Sequence, residues 1–215
     1  MPLPLSLQKS LISHHLRING YYVYQQKQTI SSPLIERIKS MCQVGSYERG
    51  RNYKNSFDSY DPEIQSIVYN DTVGEVFAEQ GATCKEVFIT HEFLNENLSR
   101  NNYLHFDRLR TLKILVYLTD VTISSGPFTV VTGSHITGRK YRKDESSVNG
   151  YENIKNRIDL DYPELNYTLT PIIGPVGTTI VFDTDLFHMG GNVVEGQERL
   201  VIRSHFYGEG NWREL

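Results

Sequence analysis

The chain has 215 residues, 39% hydrophobic and 22% charged, long enough for one domain that buries roughly 70% of its unfolded surface. Its 22 Lys and Arg nearly cancel 25 Asp and Glu, leaving a formal net charge of −3, which gives no electrostatic case for a nucleic-acid partner or an anionic membrane surface. No apolar run approaches the roughly 20 residues of a membrane span. The opening MPLPLSLQKSLISHHLR mixes Pro, Ser and Lys through its apolar positions and lacks a signal-peptide core, and the only cysteines, Cys42 and Cys84, read as reduced thiols of a cytoplasmic protein.

In chain order, Ser32 and Pro33 form an N-cap and first-turn pair, and Leu34, Ile35, Ile38 and Met41 follow at helical spacing, predicting a helix over 33–42. A second helix is expected over 61–80, opened by Asp61-Pro62, lined by Ile64, Ile67, Val68, Val73, Val76 and Phe77, and stopped by Gly81. From residue 85 the texture changes to short runs of β-branched and aromatic residues at 85–90, 112–118, 128–131, 178–182 and 200–206. Helices first and strands afterwards predict a mainly β fold, an antiparallel core with helices packed outside it. The connection 136–170 is polar, holds GRKYRKDESSVNG and offers one short helix near 152–158. A connection this long is read as a substrate lid within one domain over 1–215, and its Arg139–Lys143 cluster as a solvated loop.

His105-Phe106-Asp107 places an imidazole and a carboxylate on one face of an extended segment. Alone an H-x-D is weak. His188 follows the strand GTTIVFDTD and precedes Gly190-Gly191-Asn192, a turn signal, which puts it at a strand end. Two histidines and one carboxylate make a facial triad that leaves adjacent positions open on Fe(II) for a chelating 2-oxo acid and for O2. A dicarboxylic 2-oxo acid also needs a cation for its far carboxylate. Arg199 opens the last strand, and Arg203 lies on the same face. Spacing from His188 favours Arg199 for that carboxylate and leaves Arg203 for substrate.

The stretches LHFD…LKILVYLTDVTISSGPFTVVTGSH and HMGGN…ERLVIRSHF resemble the phytanoyl-CoA dioxygenase family of 2-oxoglutarate oxygenases, over roughly residues 100–135 and 174–206, with a weaker likeness in GYYVYQQ. The resemblance implies a double-stranded β-helix, a jelly-roll of cupin type, around Fe(II) held by His105, Asp107 and His188. It also implies 2-oxoglutarate and O2 as co-substrates, Arg199 on the far carboxylate, and further contacts from Lys113 and Tyr117. Arg51, in the segment 48–53, would border the pocket mouth. Thr132-Gly133-Ser134-His135 departs from the family in lacking a proline before Gly-Ser-His, and His135 is read as ordering its own turn. Related halogenating enzymes lack the carboxylate, so Asp107 argues for hydroxylation of a small molecule with release of succinate and CO2, by a monomer or homodimer. Desaturation or ring closure is open to the same oxidant. The alternative is a non-catalytic jelly-roll binding protein with a vestigial metal site.

Overall fold

The computed structural model describes residues 4–24, 28–43, 46–47, 51–55, 62–68, 71–79, 81–93 and 103–208. Four helical stretches come early: α1 (Leu5–Asn19), α2 (Ser32–Gln43), α3 (Pro62–Val68) and α4 (Asp71–Glu79). Three strands accompany them, β1 (Tyr21–Val23), β2 (Ser46–Tyr47) and β3 (Arg51–Asn55). The core strands follow as β4 (Ala82–Glu92), β5 (Leu112–Tyr117) and β6 (Phe128–Val130). After α5 (His135–Asn149) and the short α6 (Ile158–Asp161) come β7 (Thr170–Ile172), β8 (Thr179–Asp183), β9 (His188–Gly190) and β10 (Arg199–Gly208).

The strands form two antiparallel sheets, a large one ordered β1-β8-β5-β10-β4-β3-β2 and a small one ordered β7-β6-β9. Alternation along each central strand of the large sheet separates two environments. Leu112, Ile114 and Val116 of β5, Val181 of β8, and Leu200, Ile202 and Phe206 of β10 share one cluster with Ile12, Ile38, Ile67 and Phe77 of the helical layer. The opposite face presents Leu115, Tyr117, Ile180, Phe182 and Val201 to Phe128, Val130 and Ile172 of the small sheet. Each such side chain contributes roughly 1.5–3 kcal/mol when withdrawn from water. A third cluster joins Leu104 and Phe106, flanking His105, to Ile154, Ile158 and Phe187.

The expected helix at 33–42 and the five expected strands are present, and Gly81 turns with φ +72. The helix expected over 61–80 is described as α3 and α4, on either side of residues 69–70, which lie outside the described residues. Two helices were missed. In α1, Ile12 and Leu16 are buried while Leu7 and Ile18 are about half exposed, so its apolar residues trace no clean stripe. It ends at Gly20, whose left-handed φ of 82 lets its N–H reach the Leu16 carbonyl at 3.1 Å.

The larger correction concerns 136–170: the 15-residue α5 is found where no helix was expected, and the short helix expected near 152–158 is instead a 3-10 turn at Tyr151–Asn153 followed by α6. The buried side of α5 is His135, Gly138 and Arg142, so the inward stripe is polar and apolar periodicity could not reveal it. Arg139 and Arg142 are no solvated loop. Arg142, 1% exposed, donates from Nε to Asp185 Oδ1 at 2.7 Å and from Nη2 to Oδ2 at 3.3 Å. Arg139 donates to Asp183 and Asp185, both at 3.3 Å, and Arg110 donates to Asp183 at 2.8 Å. Lys140 and Lys143 are exposed surface charges, Lys140 paired with Asp144. No helix among the described residues is long and apolar enough to cross a membrane.

Candidate metal centre

His105 and His188 lie on facing extended segments joined by two backbone hydrogen bonds, His105 N–H to the His188 carbonyl at 3.0 Å and the reverse at 2.8 Å. Asp107, two residues on, donates its N–H to the Thr184 carbonyl at 2.9 Å. The turn 183–185 thus supports the carboxylate from one side and leads into His188 on the other. α5 braces that turn through Arg142 and Asp185. Ser134 locks the start of β9 as well: its hydroxyl accepts the Phe187 N–H at 2.8 Å and donates to the Val131 carbonyl at 2.7 Å.

One ligand atom from each of His105, Asp107 and His188 lies within 4.8 Å of the others. Both Nε2 atoms stand 3.6 Å from Asp107 Oδ1. Nδ1 of His105 bonds the Tyr103 carbonyl at 2.9 Å, and Nδ1 of His188 bonds the Leu186 carbonyl at 2.7 Å. A carbonyl only accepts, so the ring proton sits on Nδ1 and each Nε2 lone pair faces inward, the arrangement a metal-binding imidazole requires. Lys113 Nζ donates to Asp107 Oδ2 at 2.5 Å, which leaves Oδ1 as the oxygen presented between the imidazoles. Burial works against a charged Asp107, but the Lys113 ammonium beside it outweighs this and holds the carboxyl well below its ordinary range. Burial first, then the neighbouring His105, pushes His188 down to about 3. The donors are therefore a carboxylate and a neutral imidazole in the form a divalent cation takes, and the set of two imidazoles and one carboxylate fits Fe(II).

The triad opens onto a cavity of about 180 Å³ lined also by Thr90, Glu92, Lys113, Phe128, Phe182, Arg199 and Arg203. The Phe128 and Phe182 rings pack on His188 with centroids 5.7 and 5.2 Å away. Arg199 and Arg203 face the cavity together, as their spacing on β10 predicts. Arg199 is 6% exposed and bonded to Glu92. Arg203 carries its guanidinium 5.3 Å from the centroid of Phe88. Lys113 is buried on a strand flanked by β8 and β10, not at a sheet edge.

Tyr117, expected beside the co-substrate, spans the two sheets instead: its hydroxyl donates to the Ile172 carbonyl at 2.7 Å and accepts the Phe128 N–H at 3.1 Å. It is fully buried and stands outside the lining of this cavity. His135 bonds the Arg17 carbonyl at 3.1 Å and tethers its turn to α1. The backbone of Arg51 pairs with Glu92 in β3–β4, while its side chain lies outside the described residues. Sequence reasoning missed Thr90 and Glu92. The signal was available in their spacing of two, a period that turns both toward one face of β4, but the expected strand stopped at Thr90.

Residues 154–158 run beside the H-x-D segment: Asn156 accepts the Phe106 N–H at 3.3 Å, Ile158 donates to the Leu104 carbonyl at 2.8 Å, and Arg157 stacks 4.4 Å over the Tyr103 ring. The long connection therefore forms the back wall of the ligand-bearing segment.

Among solved structures, the α-ketoglutarate-dependent carbocyclase SnoK from nogalamycin biosynthesis superposes with a TM-score of 0.71 at 16% identity, covering 97% of this chain and 87% of that one. The epimerase SnoN, in complex with Fe3+, α-ketoglutarate and nogalamycin RO, gives 0.70 at 12%, covering 94% and 84%. HygX from Streptomyces hygroscopicus, with nickel and 2-oxoglutarate bound, gives 0.62 at 15%, covering 93% and 87%, and has also been solved with hygromycin B. These likenesses establish the fold, two jelly-roll sheets with flanking helices. No curated protein matches. Residues 64–201, well over half of the chain, match the family described as phytanoyl-CoA dioxygenase (PhyH). The chain belongs to the phytanoyl-CoA dioxygenase family and is an Fe(II)- and 2-oxoglutarate-dependent dioxygenase.

Proposed function

We propose that this protein hydroxylates a small-molecule C–H bond, converting substrate, O2 and 2-oxoglutarate into hydroxylated product, succinate and CO2, at a centre built by His105, Asp107 and His188. The convergence of two inward Nε2 lone pairs on one Asp107 oxygen carries this reading. Fe(II) bound there supplies the activation of O2 coupled to decarboxylation of the 2-oxo acid. The chain's own residues supply the rest. Tyr103 and Leu186 carbonyls fix the two rings, and Lys113 keeps Asp107 ionised and turned. Phe128 and Phe182 wall the site from water. Arg199 offers a planar donor group to the far carboxylate of 2-oxoglutarate, and Arg203, four residues along the same face, contacts substrate or co-substrate. Residues 136–170 are an insert of the single domain that braces the ligand-bearing segments from behind.

The substrate class is a metabolite, in keeping with the ligands of HygX and SnoN. The near-neutral charge and two free buried cysteines fit a cytoplasmic monomer or homodimer with no nucleic-acid or membrane partner. Anaerobic titration of Fe(II) and 2-oxoglutarate into the metal-free protein tests the site. A weak visible charge-transfer band near roughly 500 nm is expected for a chelated 2-oxo acid on facial-triad iron. The band should vanish in His105→Ala and His188→Ala and weaken in Arg199→Ala. A folded protein that binds no iron and shows no band would refute the assignment.

A further inference from the structure

Arg199 already has a carboxylate. It stands in register with Glu92 across the β10–β4 pair, and both side chains are buried at 6% exposure facing the metal cavity. Arg199 Nε donates to Glu92 Oε2 at 2.7 Å, Nη2 donates to the same oxygen, and Nη1 donates to the Gly126 carbonyl. The side of the guanidinium that grips a planar carboxylate is therefore filled by the chain itself. A buried cation needs such a counter-ion, but here the counter-ion has the same chemistry and charge as the far end of the co-substrate.

We propose that Glu92 competes with the far carboxylate of 2-oxoglutarate for Arg199, and so sets how strongly the site prefers a dicarboxylic over a monocarboxylic 2-oxo acid. The inference rests on the reading that Arg199 anchors that carboxylate. Two carboxylates on one buried guanidinium repel each other, so the ligand binds by drawing Arg199 away from Glu92 or by sharing it at a loss. The cavity has a second polar group beside this contact. Thr90, 4% exposed, pairs in register with Val201, between Arg199 and Arg203, and its buried hydroxyl has no hydrogen-bond partner among the described residues. That hydroxyl donates to the incoming carboxylate. A ligand without a far carboxylate meets neither Glu92 nor Thr90, and its binding is indifferent to both.

The test is calorimetric titration of 2-oxoglutarate and, separately, pyruvate into the full chain loaded with Ni(II), so that affinity is read without turnover. Glu92→Gln keeps an acceptor for Arg199 and removes the charge; it should tighten 2-oxoglutarate about ten-fold, the scale of relieving one close like-charge contact, and leave pyruvate unchanged. Glu92→Asp, which withdraws the carboxylate by one methylene, should shift 2-oxoglutarate in the same direction by less, and serves if the glutamine variant does not fold. Thr90→Val should weaken 2-oxoglutarate and spare pyruvate. Unchanged or weaker 2-oxoglutarate binding in folded Glu92 variants, with Arg199→Ala still weakening it, would overturn the competition and leave the anchor standing. If Arg199→Ala has no effect on 2-oxoglutarate, anchor and competition fall together.

Discussion

Each imidazole at the centre is oriented by a single backbone carbonyl, and His188 is also buried. His188 is pushed down to about 3 by burial and by His105, and His205, on the cavity side of β10, is lowered by burial and by the charges of Lys113 and Arg203. Both stay neutral in the fold yet take a proton near their ordinary value of 6.5 once the chain unfolds. Below that pH the unfolded state binds more protons than the native one, so stability is complete above it and is lost as the pH falls toward the folded values. Metal-free protein should lose up to ~1.4 kcal/mol per pH unit for each of the two histidines below pH 6.5. Asp107, held low, adds its own loss only at more acidic pH. Urea midpoints at pH 7 and pH 5 measure the effect, and equal midpoints would mean that these imidazoles protonate within the fold. The candidate donors themselves were legible in sequence, because H-x-D and the strand-end histidine carry their geometry in spacing. Glu92 was not, since nothing local says that a glutamate ending one strand will face an arginine opening another.

Helix α5 shows why an element can be strong in the fold and silent in the sequence. Its inward face is an arginine held by Asp185 and a glycine pressed on the turn that leads to His188. A Cβ at Gly138 would stand 1.9 Å from the Asp185 carbonyl oxygen. Alanine normally favours a helix interior over glycine by about 1 kcal/mol, but here Gly138→Ala should destabilise by about 1–3 kcal/mol through overpacking. It should also lower Fe(II) affinity by displacing the turn. A stabilised variant in thermal unfolding would show that α5 does not press on 183–185. Arg142→Ala leaves Asp185 with Arg139 and Arg110 as its cationic neighbours among the described residues. Removing one partner of a buried pair costs about 3–5 kcal/mol, and the two remaining arginines should bring the loss toward the lower end. Chemical denaturation measures it, and an unchanged midpoint would mean that the pair contributes nothing.

Across the whole molecule the large sheet divides labour between its faces. One face is apolar and carries the helical layer; the other carries the cavity. A large-to-small change on the helical face should therefore cost stability without touching the site. Ile202 is fully buried against that layer. Ile202→Ala should cost about 2–5 kcal/mol while 2-oxoglutarate affinity, measured well below the melting temperature, stays within about two-fold of wild type, as expected of sites without shared partners. A large loss of affinity would show that the faces are coupled through the sheet.

The linear sequence by itself marked the candidate metal donors and five of the ten strands among the described residues. Metal donors two apart, two arginines four apart on one strand and β-branched runs bounded by turns are all local patterns, read from the periodicity of the backbone. Only the tertiary structure decided what those residues meet. Glu92 on Arg199, Asp185 on Arg142 and Tyr117 between two sheets join positions far apart in the chain, and each is a polar contact. Hydrophobic periodicity reports burial by apolar side chains alone, so a buried face made of ion pairs leaves no trace in it.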